Sequence, residues 1–106
     1  MADASKKVTQ IINDNSVVVF SKSYCPYCRQ TKQALDAIGA EYKALELDNL
    51  SDGGALQDAI ERLTGQRTVP NTFINQKSIG GNSDLQGLLR SGELKTLLAD
   101  AGALAA

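Results

Sequence analysis

The only two cysteines of this 106-residue chain lie three positions apart, in the segment SYCPYC at residues 23–28. Cysteines at positions i and i+3 on the first turn of a helix are close enough to form a disulfide. Pro26 suits the first helical position, because its missing N–H would have no partner there. Cys25 then falls at the N-cap, where free backbone amides and the helix dipole favour a thiolate. The spacing therefore predicts a thiol redox site.

Two cysteines at this spacing are also compatible with three roles that involve no redox chemistry. They can be small buried hydrophobic residues, half of a zinc site, or a structural disulfide. The chain contains no histidine, so it cannot complete a Cys₂His₂ zinc site or supply the base of a Cys-His hydrolase. In a cytoplasmic protein a single cysteine pair is also more often catalytic or metal-binding than structural. These points favour the redox site.

Composition excludes some classes of partner. The net charge of −1 argues against a nucleic-acid partner, and no apolar stretch approaches the roughly 20 residues of a membrane span. The first seven residues show no apolar core after their charges, so we expect no secretory signal and a cytoplasmic location. We also expect a single domain over residues 1–106, with a short frayed tail from about Ala101.

The elements that position the cysteines follow from hydrophobic periodicity. The β-branched and aromatic run at 17–20 is typical of a strand buried on both faces. Further strands are predicted over 42–47, after Pro70 and over 77–79, with a polar connection over 48–54. Helices are predicted over 3–14 (capped by Asp3 or Ser5), over 26–38, up to Gly65, from Ser83 and over 93–98. A parallel βαβ unit followed by a hairpin gives an α/β sandwich with helices on both faces of a four-stranded mixed sheet.

Charge is unevenly distributed along the chain. Six acidic residues and one lysine lie between Glu41 and Glu61, so the rest of the chain is net basic. Such a run is usually a solvated helix face. The asymmetry also leaves the cysteine side relatively positive, which would favour a thiolate and attract an anionic substrate.

Three motifs together carry a family resemblance. They are CPYC at 25–28 after a strand, TVP at 68–70 before a strand, and GGNSD at 80–84 opening a helix. In this order they resemble a dithiol glutaredoxin of the CPYC type, over about residues 7–98. Thioredoxins typically carry Trp before a Cys-Gly-Pro-Cys site, and this chain has no Trp; monothiol glutaredoxins have Ser in place of Cys28. The resemblance implies a thioredoxin-like three-layer sandwich, with a four-stranded mixed sheet flanked by about five helices.

The resemblance also implies a function. The chain would be a glutathione-dependent thiol–disulfide oxidoreductase that reduces glutathione–protein mixed disulfides and some protein disulfides. Cys25 would be the nucleophile and Cys28 the resolving thiol. Pro70 would be a cis-proline facing the cysteines, and the backbone of Val69 would pair with the cysteine of bound glutathione.

The remaining glutathione contacts are carried over in the same way. The glycyl carboxylate would lie near Lys22 and Gln66, and Tyr27 would pack beside the tripeptide. The γ-glutamyl end would bind at a helix start, its carboxylate on amides and a hydroxyl and its ammonium on a carboxylate. Thr68 is a weaker candidate, because strand packing accounts for it equally well. The residues implied at the γ-glutamyl end are Gly81, Ser83 and Asp84.

Cofactors and partners follow from the same resemblance. Glutathione would be the co-substrate, glutathionylated or disulfide-containing proteins the targets, and the chain a monomer with no metal, nucleic acid or membrane partner. Many relatives carry an additional cysteine in the second half, whereas here Asn82 follows the glycine pair and no third thiol exists. Two alternatives stay open: a [2Fe-2S] cluster held between two subunits, against which Pro26 argues, and a structural domain with an incidental cysteine pair.

Overall fold

The computed structural model describes residues 2–104, which form one sheet with helices on both of its faces. Five helices and four strands are present in the described part, together with one short 3₁₀ helix at Leu47–Asn49. In chain order the elements are α1 (Ala2–Asp14), β1 (Val17–Ser21), α2 (Pro26–Ala37), β2 (Lys43–Glu46), α3 (Gly53–Thr64), β3 (Asn71–Ile74), β4 (Lys77–Gly80), α4 (Asn82–Ser91) and α5 (Glu93–Asp100).

The strand order is β2-β1-β3-β4. β1 runs parallel to β2 and antiparallel to β3, and β3 and β4 form an antiparallel hairpin. The predicted parallel βαβ unit, hairpin and four-stranded mixed sheet are therefore confirmed. All five residues of β1 are buried, as its uninterrupted apolar run predicted.

Two apolar cores lie on opposite faces of the sheet, because successive side chains of a strand alternate between faces. Val18 and Phe20 of β1 belong to the core beneath α1 and α3, and Val17 and Val19 to the core beneath α2, α4 and α5. In the first core Phe20 meets Phe73 edge to face, with ring centroids 5.6 Å apart. On its other face, the sheet packs through the second core against α2, which starts after the first cysteine.

Several predicted element boundaries differ from the structure, and two of the differences change the role given to a residue. Helix α1 already begins at Ala2, so Asp3 and Ser5 lie within it and do not cap it; the Ser5 hydroxyl instead accepts a hydrogen bond from Arg62 at 3.2 Å. The strand predicted over 42–47 is shorter, because β2 covers Lys43–Glu46 and Leu47 begins the 3₁₀ helix, buried in the first core. Between residues 2 and 104, no helix is both long enough and apolar enough to cross a membrane.

The predicted frayed tail is also wrong for the residues that the structure describes. Ala103 is 2% exposed, and its carbonyl accepts a hydrogen bond from the backbone of Glu41 at 2.7 Å. An isolated bridge joins Ala40 to Leu104. Ala103 belongs to the second core. Residues 105 and 106 lie outside the described part.

Candidate active site

Cys25 occupies the N-cap of α2, as predicted from Pro26 at the following position. Its backbone is extended (φ −86°, ψ 119°), and its amide donates to the carbonyl of Lys22 at 3.1 Å. The sulfur accepts a hydrogen bond from the backbone amide of Cys28 at 3.3 Å. A thiolate at this place is stabilised by that amide and by the positive end of the helix.

Cys28 lies one turn further into α2 and is fully buried. Burial raises the pKa of its thiol, and a hydrogen bond with Cys25 raises it further. Hydrogen bonds with the Lys22 backbone and the Ser21 side chain act in the opposite direction without reversing the shift. The two cysteines are unbonded, and their surroundings differ: Cys25 is partly accessible, whereas Cys28 is held as a buried neutral thiol.

An unpredicted contact fixes the loop that leads to Cys25. The backbone amide of Ser23 donates to the carboxylate of Asp48 at 2.9 Å, and the Ser23 hydroxyl donates to its other oxygen. These hydrogen bonds hold the pKa of Asp48 below its usual value. A signal for the pair was present, because parallel strands end at the same edge of a sheet and each residue lies two positions after the end of such a strand.

The peptide bond between Val69 and Pro70 is cis, as the family resemblance implied. The Val69 carbonyl oxygen lies 3.8 Å from the Cys25 sulfur, across from the start of α2. The TVP segment is therefore brought next to the cysteines although more than 40 residues separate them along the chain. The reactive sulfur therefore lies next to both this carbonyl and the Cys28 amide.

A groove of about 500 Å³ extends from this point to the start of α4. It collects every residue that the sequence assigned to glutathione except Lys22, which lies in the loop before Cys25. Tyr27 forms one wall and is 62% exposed. The other assigned residues that line it are Gln66, Thr68, Val69, Pro70, Gly81, Ser83 and Asp84.

The far end of the groove is the N-terminus of α4. The carboxylate of Asp84 accepts a hydrogen bond from the Gly81 amide at 3.0 Å, which caps this helix end. Gly80 has a φ of +99°, and a Cβ there would collide with the Asp84 carboxylate. Asp84 and Ser83 are both exposed to the groove side of the helix start.

Asn82 also lines the groove, and the sequence did not assign it a role at the site. Its side-chain oxygen accepts a hydrogen bond from the buried hydroxyl of Thr31 at 2.9 Å, and its amide donates to Gln30 at 3.0 Å. These bonds join α4 to α2 and so fix the spacing between the two helix starts. The sequence offered only its position beside the glycine pair as a signal.

The acidic segment predicted to be a solvated helix face is exposed on α3 at Asp58 and Glu61, which pair with Arg67 at 2.5 and 3.1 Å.

Within the described range 2–104, no three His, Cys, Asp or Glu side chains are grouped so that they could hold a metal ion.

The chain is similar in sequence to known glutaredoxins. The glutaredoxin family model matches residues 17–79. A glutaredoxin from Vernicia fordii is 51% identical over 100 residues, which cover 94% of this chain and 96% of that protein. Glutaredoxin-C2 from Arabidopsis thaliana is 50% identical over 102 residues, which cover 96% of this chain and 92% of the relative.

Solved structures agree over nearly the whole chain. The crystal structure of a buckwheat glutaredoxin–glutathione complex superposes with a TM-score of 0.96 and 47% identity, covering 98% of this chain and 94% of that one. The crystal structure of wheat glutaredoxin gives a TM-score of 0.93 and 51% identity, with 96% and 94% covered. The predicted thioredoxin-like fold is thereby confirmed.

Proposed function

The chain belongs to the glutaredoxin family and is a glutathione-dependent thiol oxidoreductase, and we propose that it acts through a Cys25 thiolate with Cys28 as the resolving thiol. The contrast between the two sulfurs carries this proposal. Cys25 accepts an amide hydrogen bond at a helix N-cap, whereas Cys28 is fully buried with a raised pKa. An attacking thiol must be available as a thiolate, and a resolving thiol must lie close enough to attack the mixed disulfide on the first cysteine.

In the first route a glutathione–protein mixed disulfide is reduced. The Cys25 thiolate attacks the glutathione sulfur, the sulfur–sulfur bond of the substrate breaks, and the protein leaves as a thiolate that takes a proton from water. A thiolate of a second glutathione then attacks the glutathione sulfur on Cys25. Glutathione disulfide is released and the Cys25 thiolate returns.

In the second route the target contains a disulfide of its own. Cys25 attacks one of its sulfurs, and Cys28 then attacks the Cys25 sulfur and displaces the target as a dithiol. The internal Cys25–Cys28 disulfide that remains is reduced by two glutathiones. The one-turn separation on α2 supports this step, because it keeps both sulfurs on the same helical turn.

Glutathione is proposed to lie in the groove with its sulfur towards Cys25 and its γ-glutamyl end at α4. Its cysteine would pair with the backbone of Val69, its glycyl carboxylate would bind Lys22 and Gln66, and its γ-glutamyl group would bind Ser83 and Asp84. The groove supports this arrangement, since Gln66, Val69, Ser83 and Asp84 all line it. Lys22 lies outside the groove, in the loop before Cys25. A crystal structure of a glutathione complex exists for the buckwheat relative.

Targets, assembly and location are part of the same proposal. We expect glutathionylated or disulfide-containing proteins as targets and a monomer as the working form, which sedimentation analysis would check. A cytoplasmic location would supply the required glutathione. One rice relative at 49% identity carries the description chloroplastic, so imaging of a fluorescent fusion is the appropriate measurement.

The alternative, a [2Fe-2S] cluster shared between two copies, would use the same Cys25 sulfur with glutathione thiols. Pro26 occupies the first position of α2 between the cysteines and stiffens the backbone there, which favours thiol exchange. Visible absorbance of anaerobically purified protein distinguishes the two. A charge-transfer spectrum that disappears on cluster removal, together with a dimeric mass, would support the cluster.

The experiment for the proposed function compares Cys28→Ser with Cys25→Ser on two substrates. With a glutathionylated substrate, Cys28→Ser should stay active or become faster, since Cys25–glutathione can no longer be diverted into the internal disulfide. With a protein disulfide it should become much slower. Cys25→Ser should be inactive on both. Loss of both activities together with the fold in Cys28→Ser would instead indicate a structural disulfide.

A further inference from the structure

The buried face of α2 carries a hydroxyl that reaches across to α4. Cys28, Thr31 and Leu35 are the buried residues of α2, and Thr31 is fully buried. Its hydroxyl donates to Asn82 Oδ1 at 2.9 Å. A buried hydroxyl without a partner would destabilise the fold, so this bond ties Asn82 to the helix of the two cysteines.

Two further hydrogen bonds hold the Asn82 side chain. Its Nδ2 donates to Gln30 Oε1 of α2 at 3.0 Å, and its Oδ1 also accepts from Gln86 Nε2 of α4 at 3.3 Å. Both acceptor sites of the Asn82 oxygen are thereby used, and so is one of its two amide protons. The side chain is therefore fixed in one orientation, with contacts to both helices.

The first turn of α4 depends on these bonds because of the way the chain enters it. α4 follows the edge strand β4 through Gly80 and Gly81, which carry no side chains that could pack against α2. The buried residue of α4 in the second core is Leu85, which comes almost one turn after Asn82. The contacts of Asn82 with α2 therefore set where the first turn of α4 lies.

The position of this turn matters because one ligand has to fit both ends of the groove. Cys25 and Tyr27 belong to the start of α2, whereas Ser83 and Asp84 belong to the start of α4. A glutathione that reaches from the Cys25 sulfur to Asp84 contacts both helices at once. A site that is already held in the bound arrangement loses less free energy to ordering, so it binds more tightly.

We propose that Asn82, Thr31 and Gln30 act together as positioning residues that make Cys25 selective for disulfides of glutathione. The inference rests on the proposed binding of glutathione in the groove and deepens it. The three side chains hold the γ-glutamyl site at the correct distance from the Cys25 sulfur. Of the three, only Asn82 lines the groove. They therefore affect which disulfide is attacked, and they leave the reactivity of the thiolate itself unchanged.

The test compares two disulfides, of which only one carries γ-glutamyl groups. In a Cys28→Ser background, in which the adduct on Cys25 persists, the rate of adduct formation is measured with glutathione disulfide and with hydroxyethyl disulfide. The ratio of the two rates is the preference for glutathione. Thr31→Val and Gln30→Ala should each lower this preference by about 2- to 10-fold, the range of one lost hydrogen bond. The rate with hydroxyethyl disulfide should stay at the value of the Cys28→Ser parent.

Thr72→Val is the matched control for Thr31→Val. Thr72 is also fully buried, and its hydroxyl has no hydrogen-bond partner within residues 2–104. The substitution there removes a buried hydroxyl without breaking a bond, so the preference should not change. Gln30 is exposed, so Gln30→Ala leaves the core intact and decides the question if Thr31→Val does not fold.

A double-mutant cycle separates positioning from direct contact with glutathione. If Asn82 acts with Thr31, adding Thr31→Val to Asn82→Ala should lower the preference no further. An unchanged preference in Thr31→Val would overturn the positioning role, because Asn82 would then act by touching glutathione or not at all. Equal slowing with both disulfides would overturn it as well, since the effect would be merely structural. If the Cys28→Ser parent attacked both disulfides equally fast, the proposed glutathione site would fail instead.

Discussion

Replacing Asp84 by asparagine removes one charge from the groove while keeping an oxygen at the helix start. If Asp84 holds the ammonium of glutathione, Asp84→Asn should raise the KM for glutathione. Asp84 is exposed, and exposed ion pairs contribute about 0.2–1 kcal/mol, which corresponds to a rise of roughly 1.5- to 5-fold. The alkylation rate of Cys25 should not change, because Asp84 lies at the opposite end of the groove.

The same side chain also stabilises the fold, and the structure allows the two roles to be separated. Asp84 accepts a hydrogen bond from the Gly81 amide, and asparagine can still accept it. Asp84→Ala loses both that bond and the charge, so it should lower the free energy of unfolding by about 0.5–1.5 kcal/mol for the bond, in addition to raising KM. Asp84→Asn should lose little stability beyond the roughly 0.3–1 kcal/mol of a charge at a helix start.

The assay is steady-state reduction of a glutathionylated peptide at varied glutathione, with melting temperatures measured on the same preparations. Glu93→Gln is the control, since Glu93 is an exposed acid in the first turn of α5 and does not line the groove. It should leave KM unchanged. A lower melting temperature in Asp84→Ala with wild-type KM in both Asp84 variants would show that the carboxylate only caps α4, which would refute the binding role.

Two further predictions follow from the backbone and from a tyrosine. Gly80→Ala should destabilise the fold by more than the roughly 1–2 kcal/mol of an alanine at positive φ, because its Cβ also collides with Asp84. Gly39 has a φ of +78° and open space around it, so Gly39→Ala should lose only the roughly 1–2 kcal/mol of the positive φ. Denaturant unfolding of the two variants measures the difference. Burial and the Asp36 carboxylate raise the pKa of Tyr42 to about 12, so its neutral form contributes stability below pH 10 that is lost as the pH rises towards 12. Tyr42→Phe should therefore flatten the decline of melting temperature over that range, and an unchanged decline would contradict the assignment.

Much of the site could be predicted from the sequence because it depends on short local patterns. The run at 17–20 is typical of a buried strand, and Pro26 indicated the place of Cys25 at a helix start, and the structure has both. The residues of the TVP and GGNSD motifs were assigned through the family resemblance, before their positions in space were known. Their meeting in one groove follows from the antiparallel pairing of β1 with β3.

What the sequence left out depends on register between distant segments. The Ser21–Glu46 and Ser23–Asp48 contacts exist because β1 and β2 pair in one particular register, and the mixed polar and apolar pattern at 42–47 does not determine it. The buried Ala103 was missed because a tail of small residues has no apolar period to reveal which one faces the core.

The central claim is that Cys25 receives the glutathione, and peptide mapping of the adduct tests it most directly. Wild type, Cys28→Ser and Cys25→Ser are incubated with glutathione disulfide, quenched with acid and analysed by intact mass and peptide mass. Cys28→Ser should carry one glutathione per chain, on the peptide that contains Cys25, and Cys25→Ser should carry almost none because its remaining thiol is buried. An adduct on Cys28 that forms in Cys25→Ser as fast as the Cys25 adduct forms in Cys28→Ser would contradict the account.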